Sequence, residues 1–200
     1  MSTTTHDTAQ AERRDVVLGR DVVTRRLPRI LLAIGRIVIG FYFLWAFLDK
    51  AFGLRYATLP QGRWEVFGGT GKPAQDYLGR LEGGPFDSFF QSTFGNAFGD
   101  WFFMISLLLI GIAFLAGAGL RLAGVGGALL MLFMYVVALP QPSAMVDGEF
   151  VRGATNPIPD VHWMDALLLL ICAFTLSGDT LGLGKWWARL PFVRANPWLR

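Results

Sequence analysis

Few side chains in these 200 residues can do chemistry. The two histidines are His6 and His162, and the one cysteine is Cys172, which permits no internal disulfide, no CxxC redox pair and no four-thiolate metal site. No metal site is expected, and any redox cofactor has to be borrowed from a partner or be diffusible. His162 and Asp165 stand three residues apart, which on a helix puts them on one face as a proton acceptor and donor. Arg36 and Lys50 fall within or at the end of another apolar run. Charges in such runs are expensive in hydrocarbon and therefore point to function. Gly68 to Pro73 has the outline of a phosphate loop, but Val66 replaces its first glycine and Pro73 its Ser/Thr, so it is expected to be a turn.

The elements that must position these groups are membrane helices. Hydrophobic residues make up 53% of the chain and charged ones 16%, and the apolar residues lie in long runs almost free of charge. That excludes disorder and most soluble folds. The net charge of +3 does not indicate nucleic acid, because the cations cluster at the ends of the runs. Leu27 to Leu48 is long enough to span, with Arg36 inside it. Trp101 to Leu139 is twice the required length, and Gly117-Ala118-Gly119-Leu120-Arg121 supplies a turn, which predicts a hairpin of spans over 101–119 and 122–139. A shorter run, 161–177, begins with His162 and Asp165. The expectation is an all-α membrane protein: a four-transmembrane-helix bundle over 27–184, preceded by a polar basic tail over 1–26.

Eleven cations (Arg13, Arg14, Arg20, Arg25, Arg26, Arg29, Arg121, Lys185, Arg189, Arg194, Arg200) flank one side of these spans, against six (Lys50, Arg55, Arg63, Lys72, Arg80, Arg152) in two longer loops. Both termini are therefore expected in the cytoplasm. The polar stretch before the first apolar run argues against a cleaved signal peptide. In the loop Asp49 to Asp100, Phe86, Phe89, Phe90, Phe94 and Phe98 share half of a helical wheel. They predict an amphipathic helix over Pro85 to Phe98, the alternative being a loop that packs its aromatics on the span ends. Lys185 to Arg200 mixes Trp186, Trp187, Phe192 and Trp198 with four cations, the composition of an anchor in an anionic headgroup layer.

Arg36, Gly40, Phe43, Phe47 and Lys50 form one stripe of the first span, and His162, Asp165, Leu169, Cys172 and Leu176 one stripe of the fourth. Two such partly polar faces are expected to meet. Lys50 and Arg36 have the same spacing as Asp179 and Asp165, so one antiparallel register pairs Lys50 with Asp165 and Arg36 with Asp179. The alternatives are an Arg36 that snorkels to the headgroups and a His162/Asp165 pair in a wet interface. Cys172 is expected to be a small apolar filler, Pro157, Pro159 and Asp160 a rigid lead-in and N-cap, and Gly124, Gly127 and Ala128 a close-packing face.

Gly35 to Gly53 (Gly-Arg-Ile-Val-Ile-Gly-Phe-Tyr-Phe-Leu-Trp-Ala-Phe-Leu-Asp-Lys-Ala-Phe-Gly), Gly119-Leu120-Arg121, and Asn156-Pro157 ahead of the His162 helix resemble the DoxX/DoxD family over about Pro28 to Arg200. The chain is similar to actinobacterial members labelled as the large membrane subunit of thiosulfate:quinone oxidoreductase. The resemblance implies a four-helix protein of a bacterial plasma membrane. For some members it implies oxidation of thiosulfate to tetrathionate with electrons passed to quinone, and for others a membrane anchor or scaffold for a redox or stress-response partner. On that basis Trp45, Lys50, His162 and Asp165 are the candidates for quinone binding, with His162 and Asp165 as the candidate catalytic pair. Lys50, Arg55 and Arg152 are the candidates for binding the anion, and a second subunit or soluble redox partner is expected to supply the missing electron carrier.

Overall fold

The computed structural model of the chain describes residues 17–81, 84–146 and 148–200; the predicted tail's His6, Arg13 and Arg14 lie outside them. A short helix α1 (Gly19–Val22) precedes α2 (Arg26–Phe52), which stops where Gly53 turns left-handed at φ 66°. Helix α3 (Pro73–Leu78) and α4 (Asp87–Phe94) follow, then α5 (Ala97–Ala116) and α6 (Leu120–Val137). Gly117 and Gly119 take φ of 73° and 68° between α5 and α6, a double left-handed turn that side chains with a Cβ resist, and this makes the expected hairpin. A two-stranded hairpin, β1 (Ala144–Val146) and β2 (Glu149–Val151), departs from the all-α expectation. Helix α7 (Val161–Phe174) follows Asp160, whose side chain accepts from the His162 amide at 3.0 Å as the predicted N-cap. Helices α8 (Gly184–Trp187) and α9 (Pro191–Ala195) close the chain.

Helices α2, α5 and α6, of 27, 20 and 18 residues with mean hydropathy 2.1, 2.1 and 1.9, are long and apolar enough to cross a membrane. The predicted fourth span, Val161 to Ser177, is shorter than expected: α7 has 14 residues, a rise of about 21 Å. Hydroxyls end it. Thr175 Oγ1 donates to the Ile171 carbonyl at 2.6 Å and Ser177 Oγ to that of Cys172 at 2.7 Å, while Leu176 turns left-handed at φ 53°.

The four apolar helices form a ring, α2 against α5, α5 against α6, α6 against α7 and α7 back against α2. Phe43, Met104, Phe114, Leu169 and Cys172 fill its middle, with Cys172 fully buried as the filler expected. Glycines allow the close approaches. A Cβ on Gly40 would stand 2.8 Å from the Leu115 amide nitrogen, one on Gly111 2.7 Å from that of Leu44, and one on Gly124 2.7 Å from the Ala173 Cβ. The outward faces, with Val38, Leu109, Leu129 and Leu167 exposed, are as apolar as the inward ones, a surface suited to lipid and not to water.

The segment between α2 and α5 is more ordered than its glycine and proline content predicts. Trp64 is buried and sits edge-on to Trp101 at 4.7 Å between ring centroids, and its amide donates to the Lys50 carbonyl at 2.8 Å. The predicted amphipathic helix is cut down to Asp87–Phe94: Gly95 ends it, and Asn96 caps α5, so Phe98 belongs to the next helix. Phe90 faces inward against Leu78 and Val137, while Phe86 and Phe89 stay exposed.

Candidate functional site: an aromatic cavity at Lys50

The α3 and α4 helices lean over the loop end of the bundle and leave a cavity of about 270 Å³ between themselves and α5 and α6. Tyr77 and Leu78 from α3, Phe90 and Phe94 from α4, Phe103 from α5, and Phe133 and Met134 from α6 form most of its wall. Lys50, in the last turn of α2, is the one charged residue lining it. The ion pairs among the described residues are Arg20 with Asp21, Asp160 with His162, and Asp179 with Arg200; Lys50 is in none of them.

Two buried carboxylates hold this roof, and neither was singled out from the sequence. Asp100, 1% exposed in the first turn of α5, accepts from the amides of Ala74 and Gln75 at 2.7 and 3.1 Å and from Gln75 Nε2 at 2.5 Å. It therefore caps the open N-terminus of α3 from another helix and sets Tyr77 and Leu78 over the cavity. Asp49, 2% exposed, accepts from the amides of Tyr56 and Ala57 at 3.2 and 2.9 Å and ties the chain down as it leaves α2. Gln91 Nε2 donates to the Leu78 and Leu81 carbonyls at 3.0 and 3.1 Å and joins α4 to α3. Burial pushes the Tyr77 phenol up from its ordinary value, so it stays protonated and available as a donor. The signal that could have found Asp49 and Asp100 is the one used for Lys50: a charge at the end of an apolar run.

The other sequence-predicted residues are elsewhere. Trp45 stacks on Phe41 at 5.7 Å and meets Tyr56 edge-on at 5.1 Å, outside the cavity wall. His162 Nδ1 bonds Asp160 Oδ2 at 2.7 Å across the start of α7. Burial alone would raise the Asp160 carboxyl, but the hydrogen bond and charge of His162 outweigh it and hold the group below its ordinary value. Asp165 is half-buried on α7. Arg55 is exposed in a left-handed turn at φ 71°, and Arg152 is exposed after β2; of the three predicted anion ligands, Lys50 alone lines the cavity.

Neither predicted charge pair forms. Although α2 and α7 touch, Lys50 and Asp165 are not among the ion pairs of the described residues. Asp179 is not on α7, because the left-handed Leu176 breaks the helix and with it the heptad arithmetic. It instead accepts from the Gly19 amide and from Arg200 Nη2, both at 2.7 Å. Arg36 is fully buried and does not snorkel. Its Nη1 donates to the carbonyls of Phe114 and Leu115, the latter at 3.0 Å, and its Nη2 to that of Leu181 at 2.7 Å. With Gly117 N on Ala113 O and Leu183 N on Ala116 O, both at 2.8 Å, all four terminal carbonyls of α5 are occupied. Arg36 is a helix C-cap supplied from a neighbouring span.

Among the described residues no three His, Cys, Asp or Glu side chains gather as metal ligands. The chain matches no family model, no curated protein and no solved structure.

Proposed function

We propose that this chain is a four-span, DoxX-like membrane subunit of a redox system in a bacterial plasma membrane, and that a quinone headgroup occupies the cavity at Lys50. The observation that carries the reading is a single lysine in a wall of aromatic and aliphatic residues. Such a wall takes up a flat, apolar ring, and one placed polar group orients it. A lysine ammonium donates to a quinone carbonyl oxygen and favours the electron density that reduction puts there. Two electrons and two protons turn quinone to quinol. The electrons come from a second subunit or a soluble redox partner, which also carries out the oxidation of thiosulfate or another donor, since Lys50 is the one cation lining the cavity. Lys50→Met is expected to remove a charge-assisted hydrogen bond of about 1.5 to 3 kcal/mol, weakening a short-chain quinone by roughly tenfold to a hundredfold. His162→Ala is expected to leave its affinity unchanged. Weakening by His162→Ala with Lys50→Met unaffected would move the site to the face shared by α2 and α7.

Four crossings are supported by the meeting of both described chain ends at one carboxylate: Gly19 and Arg200 each bond Asp179, as an even number of crossings would have it. The cation asymmetry supports a cytoplasmic location for that end. Reporter fusions at Gly84 and after Arg200 are expected to give opposite compartment signals, and identical signals would contradict the topology.

A further inference from the structure

The segment after α7 is folded back over the end of the bundle that carries both chain ends. Ala188, Val193 and Leu199 are buried beneath it, and the Trp187 indole donates to the Leu199 carbonyl at 3.1 Å. Lys185, Trp186, Arg189, Phe192, Arg194 and Trp198 are all exposed. Cations and aromatics alternate among them, and no Asp or Glu occurs between residues 180 and 200. The plate is seated at the level where the long helices end: Arg121, in the first turn of α6, reaches the Trp198 carbonyl at 3.4 Å, and its guanidinium lies 5.4 Å over the Phe174 ring. Arg25 and Arg26, at the start of α2, are exposed at the same end.

We infer that this folded plate is a binding surface for anionic phospholipid headgroups of the adjacent leaflet. Seated at the ends of the long helices, it would lie in the headgroup layer, where tryptophan rings partition and each nearby Lys or Arg attracts anionic lipid. A soluble acidic partner would use the cations but would leave Trp186, Phe192 and Trp198 without a matching environment. Because the plate's inward face is packed and hydrogen-bonded to the bundle, its charges are held in place, and it should select anionic lipid over neutral lipid.

The test uses the full chain in nanodiscs of phosphatidylcholine with the same fraction of dibrominated phosphatidylglycerol or dibrominated phosphatidylcholine. The fluorescence of Trp186 and Trp198 is isolated as the difference between wild type and the Trp186→Phe/Trp198→Phe variant. Brominated phosphatidylglycerol is expected to quench this difference signal about twofold more strongly. The preference should vanish in Lys185→Gln/Arg189→Gln/Arg194→Gln and shrink in the wild type when salt is raised. Equal quenching by the two lipids, or a preference that survives both the triple substitution and high salt, would overturn the inference.

Discussion

Replacing Arg36 with Met is expected to lower the thermal unfolding midpoint of the detergent-solubilised protein by about 6 to 12 °C. The guanidinium is fully buried and serves the carbonyls of Phe114, Leu115 and Leu181 at once. Methionine keeps the length and apolar packing of the side chain but donates nothing. Each carbonyl then left buried without a partner costs about 1 to 3 kcal/mol, so a loss on the order of 3 kcal/mol is the modest end of the expectation. Arg36→Lys should fall between wild type and Arg36→Met, because one ammonium cannot reproduce a fork that spans the end of α5 and the loop after α7. Wild-type stability in Arg36→Met would mean that the carbonyls find other donors and that the cap is dispensable.

The second large effect is expected at the crossing of α2 and α5. A methyl at Gly40 would press on the Leu115 amide and the Phe114 Cβ, at 2.8 and 2.9 Å, and one at Gly111 on the Leu44 amide and Cβ, at 2.7 and 2.8 Å. These neighbours are backbone and Cβ atoms, which cannot swing aside, so Gly40→Ala and Gly111→Ala should each cost about 1 to 3 kcal/mol. The double variant should cost less than the sum, since the helices moved apart by one methyl leave room for the other. Gly126 is the control. Nothing lies within 4 Å of a Cβ built there, so Gly126→Ala should be neutral or gain up to about 1 kcal/mol from helix propensity. Unfolding midpoints of the four variants measured side by side would show whether backbone approach or propensity governs these glycines.

The parts of this molecule legible in its sequence are those written by near neighbours. Hydrophobic runs gave the three long helices, the pair Gly117 and Gly119 gave the hairpin turn, and Asp160 gave its own cap because its acceptor and the His162 amide are two residues apart. What escaped is held by long-range pairing. Arg36 finds its acceptors 78, 79 and 145 residues away, and Asp100 caps a helix that begins 27 residues before it. The heptad register that joined Arg36 to Asp179 assumed an unbroken fourth helix, and two hydroxyls with a left-handed Leu176 ended it early. The aromatic wheel over Pro85 to Phe98 was a true signal of burial at Phe90 but ran through a helix end at Gly95. Lys50 was legible as a charge out of place. Its cavity was not, because the wall comes from four separate helices beyond its own.

The proposed quinone ring would lie between the α3/α4 roof and the α5/α6 pair beside Lys50. Photolabelling of the full chain in native-like bilayers with an azido-quinone, followed by peptide mapping, addresses this placement directly. Adducts are expected on Tyr77, Phe90, Phe133 or Met134, suppressed by excess unlabelled quinone and reduced in Lys50→Met. Competable adducts confined to Tyr42, Trp45, His162 or Asp165 would contradict the account and place the quinone between α2 and α7.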